Sequence, residues 1–305
     1  MDDVTLSIKT VSKKTGLSTF VIRAWEKRYN VVEPKRTSSN RRLYSAHDIE
    51  KLKLLKILTS EGFSIGNIAN LEVESLRELT GKKTSPSEEN STGFQKDRII
   101  KECIEAIAVF NGSEFEDILN QSSLVYSQPA LIDKLISPLL IEIGELWRKG
   151  ILRPAQEHFA TEIIKKFLKK LQESLNPEPD APLLLVTTPV GQLHELGALI
   201  AAFAASIEGW NILYLGPNLP ADDIAVAAIN VKVKAVCLSI VYPADDPNLS
   251  RDIIRLGEIL PRRVKILAGG RAVWGYHSQL EKIGAEIITG ILELREKLEV
   301  LRLNS

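Results

Sequence analysis

Apolar and polar positions follow three different rhythms along this chain. From about Ser7 to Thr80, short stretches of helical period are separated by a tight turn and a basic loop. From Phe94 to about Leu175 apolar residues recur at helical spacing, as in Ile99, Ile100, Cys103, Ile104 and Ile107. Breaks near Asn111-Gly112, Gln128-Pro129 and 150–154 divide this region into about four helices, enough for a bundle. From Leu183 onward the runs shorten to 183–188, 212–216, 234–241, 264–270 and 285–290, alternating with amphipathic helical stretches. Near-continuous apolar strands alternating with helices predict a doubly wound parallel sheet of flavodoxin-like order. Ligands of such sheets sit at the carboxyl ends of the strands.

Two polar stretches separate these regimes. Gly81 to Gly93 is rich in Ser, Thr, Gly and charge without an apolar period, which predicts a flexible linker. A proline-containing break spans Asn176 to Pro182. The expected organisation is therefore a small helical domain over 1–80, a linker over 81–93, a four-helix bundle over 94–176 and an α/β domain over 182–305.

Composition narrows the class. The 305 residues are 44% hydrophobic and 26% charged, as in ordinary globular proteins, and hold no uninterrupted apolar run long enough for a membrane span. The acidic and polar start, MDDVTLSIKT, lacks the order of a secretory signal. Cys103 and Cys237 lie far apart and outside any Cys/His cluster, which argues against a disulfide framework or structural zinc. The chain reads as cytoplasmic. Its zero net charge hides an asymmetry, because Lys9 to Lys56 carries thirteen basic residues against four acidic ones. A basic first domain on an acidic remainder points to a polyanion partner, although a solvated surface helix also accommodates such charge.

The first domain has the parts of a DNA reader. Val11 to Ser18 reads as a helix, a Gly16 turn and a Ser18 cap for a second helix, Thr19 to Tyr29. That helix is expected to turn Val21, Ala24 and Trp25 inward, with Thr19, Arg23 and Lys27 on another side, as a helix entering the major groove requires. The polar loop from Glu33 to Tyr44 follows, with Lys35, Arg36, Arg41 and Arg42 suited to phosphates and Tyr44 to a hydrophobic anchor. From Ser7 to Leu71, the strings RAWEKRY, NRRLYSAHDIEKL and EGFSIGNIANL in that order closely resemble the MerR winged-helix family. That resemblance implies a base-reading second helix, a backbone-gripping wing and a dimer on a two-fold operator. The long C-terminal dimerisation helix of the simplest members is missing, so another module must supply oligomerisation.

The most informative short string is Thr188 to Gly197, TPVGQLHELG, which follows the first predicted strand. It places His194 at the switch-point end of the sheet, where a lone histidine is more often a hydrogen-bonding loop residue than a metal ligand. The string, with Gly191, Gln192, His194 and Gly197, resembles the cobalamin-binding motif Asp-x-His-x-x-Gly, with Ser239 and Gly269-Gly270 in the positions of that family's later elements. The resemblance implies His194 as the lower cobalt ligand and room for the cofactor's tail against side-chain-free backbone. Gln192 departs from the motif's acid, so a hydrogen bond to the histidine would come from a neutral amide; Val241 departs mildly from a leucine.

In the helical region Trp147 stands ten residues before Glu157-His158, with nine residues between, and Glu157-His158 opens a helix just after Pro154. On its own this is a core tryptophan and a first-turn acid favoured by the helix dipole. Ahead of a cobalamin-type domain it resembles the signature of the CarH/LitR photoreceptor regulators. There the Trp packs over the 5′-deoxyadenosyl group, the Glu hydrogen-bonds it, and the His becomes the upper cobalt ligand after light. The resemblance implies an adenosylcobalamin-bound tetramer that represses an operator in the dark and falls apart in light, a stoichiometric switch and no enzyme. Two alternatives stand beside it: a MerR-type regulator sensing another ligand without light, kept open by Gln192, and a cobalamin enzyme module, disfavoured by the attached DNA-binding domain. His277, the remaining histidine after the fourth strand, reads as a surface or loop residue.

Overall fold

The chain's first turn is set by a residue without a side chain. Between α1 (Ile8–Thr15) and α2 (Thr19–Tyr29), Gly16 adopts φ 66° and its N–H closes on the Ser12 carbonyl at 2.8 Å. This left-handed cap is comfortable only without a Cβ. Ser18 then caps α2, its Oγ accepting from the Val21 N–H at 3.1 Å. The structure, a computed structural model, describes residues 5–37, 40–61, 63, 65–81, 86–175 and 177–303. It divides into two compact units, 1–164 and 165–305. The division falls within a helix rather than at the expected break over 176–182.

In the first unit β1 (Leu6–Ser7), β2 (Lys35–Arg36) and β3 (Arg42–Tyr44) form an antiparallel sheet in the order β1-β3-β2. The expected polar loop is thus a wing hairpin, of which residues 38 and 39 lie outside the described ones. Helices α3 (Ala46–Glu61), α4 (Ile65–Ile68) and α5 (Val73–Gly81) complete the domain. Val11, Ile22, Tyr44, Leu52, Leu55, Leu58 and Leu76 are fully buried. The inward face of α2 is therefore centred on Ile22, with Val21, Trp25 and Tyr29 packing at its edge. Val21 and Trp25 pack against the core as expected, but its fully buried centre is Ile22, one position along from Val21; Ile22, Trp25 and Tyr29, spaced i, i+3 and i+7, share a stripe.

Four helical rods follow: α6 (Pro86–Ala108), α7 (Gly112–Val125), the pair α8 (Gln128–Leu131) and α9 (Ser137–Arg148), and α10 (Pro154–Glu173). This agrees with the expected bundle. Residues 82–85 of the expected linker lie outside the described residues, and α6 begins at Pro86, so the second half of that stretch is helical. A proline suits a first helical position, where no N–H is needed. A wide π turn at Ile132–Ile136 joins α8 to α9 just before Pro138, whose ring and missing N–H a regular turn would not accept. Ser127 ties this region to the DNA-binding domain: its Oγ donates to the Thr59 carbonyl at 3.0 Å and accepts from Ala130 at the start of α8.

The second unit is an all-parallel sheet. Its strands are β4 (Leu183–Thr187), β5 (Asn211–Tyr214), β6 (Ala235–Ser239), β7 (Lys265–Gly269) and β8 (Glu286–Ile288), in the order β5-β4-β6-β7-β8. This is the expected flavodoxin-like order. Helices α11 (Leu196–Ile207), α12 (Ala221–Asn230), α13 (Pro247–Ile259), α14 (His277–Lys282) and α15 (Ile291–Leu303) alternate with the strands. Every residue of β6 is buried, as a central parallel strand requires. Trp210, fully buried, donates its indole N–H to the Leu298 carbonyl at 3.2 Å and so pins α15 to the sheet. The order changes direction between β4 and β6, which opens the ligand crevice at the carboxyl ends of those strands. Among the described residues no helix is long and apolar enough to cross a membrane. Both cysteines are free and buried, and burial pushes each thiol up to about 12, so neither is a thiolate near neutrality.

Candidate DNA interface and ligand site

On the DNA side, Lys27 of α2 and Lys35, Arg36 and Arg41 of the wing are exposed, whereas Thr19 and Arg23 are half-buried. The hairpin is closed by reciprocal bonds between Thr37 and Arg41 and by the Arg36 guanidinium on Asn40 at 2.8 Å. Arg42 differs from its neighbour. Its Nε donates to both carboxylate oxygens of Glu26 at 2.9 Å, and the Tyr44 hydroxyl donates to the same carboxylate at 3.2 Å. Burial, and next the Glu26 charge, push the Tyr44 hydroxyl well above its ordinary range, so it stays a donor. The expected Arg pair therefore divides: Arg41 faces solvent, whereas half-buried Arg42 straps wing to helix through its Nε. Tyr44, expected among the DNA-binding residues, is fully buried in the domain's core. Glu26 was missed, although a lone acid within RAWEKRY, among so few in that basic stretch, was its available signal.

In the helical region the ends of α6 and α9 and the starts of α7 and α10 come to one end, where Gln156 of α10 donates to the Ala108 carbonyl at 2.7 Å. Phe110 meets Phe159 edge-on at 5.4 Å there. Trp147 keeps 47% of its surface exposed, and Ile151, Val109 and Phe110 are exposed beside their turns. A large aromatic left open in this way asks for a cover. Glu157 lies in the first turn of α10; it accepts from Thr161 at 3.1 Å and stands 3.3 Å from the Nδ1 of exposed His158.

At the end of the sheet, β4 runs into a loop that reaches α11. His194 lies in it, exposed, and Ser239 is buried at the end of β6. A Cβ on Gly197 would lie 2.7 Å from the Ser239 Oγ, so a larger residue there would make that hydroxyl turn away. Gly269 pairs with Ser239 across the strands. Gly270, at φ 108°, comes so near β6's continuation that a Cβ would fall 2.3 Å from the Ile240 carbonyl oxygen. The close approach that demands this glycine is thus to the chain's own backbone. Gly191, at φ 81°, donates to Asn218 Oδ1 at 2.8 Å, and fully buried Thr188 donates to the Gln192 carbonyl and accepts from the Asn218 N–H.

Gln192 is buried, and its Oε1 accepts from the N–H groups of Val241 and Tyr242 at 2.7 and 2.9 Å. It clasps the loop after β6 and makes no bond to His194. The acid next to the histidine is Glu195, which the sequence reading passed over; it binds Lys165 at 2.7 Å and accepts the Tyr214 hydroxyl. Burial and the Glu195 carboxylate push that phenol far up.

Among the described residues no group of three or more His, Cys, Asp or Glu side chains could hold a bare metal ion. A cobalt carried in a corrin ring needs from the protein only an axial donor. An exposed His194 in the loop at the carboxyl end of β4 is a donor that fits it.

The comparisons agree with this geometry. Residues 6–73 match the MerR HTH regulatory protein family, and residues 99–172 and 182–295 each match a B12 binding domain. The HTH-type transcriptional repressor CarH of Myxococcus xanthus is 27% identical over 95% of this chain and 97% of its own. CarA of the same organism, also a transcriptional repressor, is 27% identical over 95% of each chain. The monomethylamine corrinoid protein of Methanosarcina barkeri shares the fold of 67% of this chain and 99% of its own, at 19% identity and a TM-score of 0.54. With a helix-turn-helix followed by both halves of a B12-binding module, the protein is a MerR-type regulator with a B12-binding region.

Proposed function

We propose that this protein is a light-responsive transcriptional repressor that occupies operator DNA with adenosylcobalamin in the dark and releases it on illumination. The observation that carries this reading is the open Trp147 at the same end of the helical region as Glu157 and His158. These are the side chains an adenosyl group would need for cover and a hydrogen bond. Full-length similarity to two repressors supports the direction of control.

When bound, adenosylcobalamin supplies a cobalt–carbon bond that visible light breaks. His194 would ligate the cobalt, and Gly191, Gln192, Gly197, Ser239, Gly269 and Gly270 would border the place of the cofactor's tail. Trp147 would pack over the adenosyl group and Glu157 would accept its hydrogen bonds. His158, exposed and next to Glu157, is the side chain that would take the upper position once that group has gone. Trp147 and Glu157 would then be without that partner, and the balance between assembly states would move from a tetramer to smaller species. Thr19, Arg23 and Lys27 would reach base edges while Lys35, Arg36 and Arg41 meet phosphates.

A second reading, a MerR-type regulator of another ligand without light, rests on Gln192 in the place of an acid. Size-exclusion chromatography with absorbance spectra, on protein mixed with adenosylcobalamin in the dark and then under green light, separates the two. A coloured, larger species that shrinks on illumination is the expected result. A coloured species of constant size removes the light-driven disassembly, and a colourless protein favours the second reading.

A further inference from the structure

Among the described residues, Gln192 Nε2 is a buried side-chain donor with no hydrogen-bond partner. The residue is only 1% exposed, so the donor does not face bulk solvent. The orientation of its amide is forced. Both neighbours, the Val241 and Tyr242 N–H groups, are donors, so turning the group over would set N–H against N–H twice. Such orphaned donors are rare in folded chains, and each calls for an explanation.

His194 does not provide one. An imidazole that binds a metal through one nitrogen carries its proton on the other and needs an acceptor there. Gln192 has spent its acceptor on two loop amides and has only a donor left. The two side chains are two residues apart but not complementary.

We propose that Gln192 reads the ligand itself: Oε1 clasps the loops after β4 and β6, and Nε2 donates to an acceptor oxygen of the bound corrinoid. The inference rests on the corrinoid reading of this site. Cobalamin carries two kinds of acceptor oxygen, the carbonyls of its ring amides and the phosphate of its nucleotide tail. A glutamate here would keep the clasp, because a carboxylate accepts from two N–H groups as well as an amide oxygen does. It would also remove the orphan donor and set an acceptor against the ligand's own. Stability without ligand and affinity for ligand should therefore move in opposite directions.

The test is Gln192→Glu in the full chain, with apo melting temperature and dark titrations of adenosylcobalamin and adenosylcobinamide, which lacks the tail. The apo variant should melt at or above the wild type while adenosylcobalamin affinity falls about tenfold or more. Loss with both corrinoids assigns the acceptor to the ring amides; loss with adenosylcobalamin alone assigns it to the tail phosphate. A variant that binds adenosylcobalamin as the wild type does, or whose apo form melts lower, overturns the proposal. Gln192→Met, similar in shape, should lose affinity and also apo stability, since the two amides lose their acceptor; unchanged affinity there counts against it too. If the wild type binds neither corrinoid, the corrinoid reading has failed, a different result from a variant that binds normally.

Discussion

Two polar clusters in this protein use similar parts and end in different states. In the DNA-binding domain Glu26 receives Arg42 and Tyr44, and the hydrogen bonds of that trio close on one another. At the end of the sheet Gln192 receives two backbone amides in the same way, but its own donor is left over. The closed cluster stores geometry: it ties the wing to α2 through the Arg42 Nε and the Tyr44 hydroxyl, both on the Glu26 carboxylate. The open one, beside an exposed His194, has a bond still to make. Saturation separates residues that hold a shape from residues that await a ligand, and residue type alone would not have done so.

Substitutions at the two clusters should diverge accordingly. The largest effect is expected at the open site. His194→Ala should lower adenosylcobalamin affinity by more than about 100-fold, beyond what changes around a metal ligand usually cost, with little change in apo melting. A dark absorbance titration beside a thermal melt checks this, and near-normal affinity would remove His194 as the cobalt ligand. At the closed site, Glu26→Ala should cost about 2 kcal/mol of stability, because Arg42 and the buried Tyr44 hydroxyl lose a shared charged acceptor while being at most 28% exposed. Denaturant unfolding would measure it, and a cost near zero would mean that the strap does not hold the wing.

Gly270→Ala sharpens the comparison within the sheet. With φ at 108° and a Cβ 2.3 Å from the Ile240 oxygen, it should destabilise the apo protein by about 1–3 kcal/mol. A lower cofactor affinity at unchanged apo stability would instead mean that the glycine makes room for the tail alone. The smallest effect lies in salt dependence. Arg41→Ala should reduce the slope of log affinity for operator DNA against log salt by about 0.9. Arg42→Ala should weaken binding at every salt concentration and leave the slope as it was. Equal slope losses in both would return Arg42 to the phosphates.

Much of this could be read before the fold was known, because it is written locally. Helical and strand periods over 94–175 and 183–290 follow from which side of each element faces a core, and the strand order appeared as expected. The Gly16 turn and the Ser18 cap need only neighbouring residues, and the DNA-binding and cobalamin motifs are short strings in order. The inward residue of α2 was misjudged by one position, since adjacent apolar residues share a face until packing chooses between them. The helical start at Pro86 was hidden because that stretch has no apolar period.

By itself the sequence determined the class of each region, the order of its elements and the positions of His194, Gly197, Ser239 and Gly269-Gly270. Only the tertiary structure decided what the polar side chains do. Arg42 finds Glu26 sixteen positions away and Gln192 finds Val241 at forty-nine. A hydrogen bond needs its partner within about 3 Å and in line. Bonds across such separations exist only once strands and helices have been packed, so no local pattern records whether a polar group is already satisfied or still free to bind.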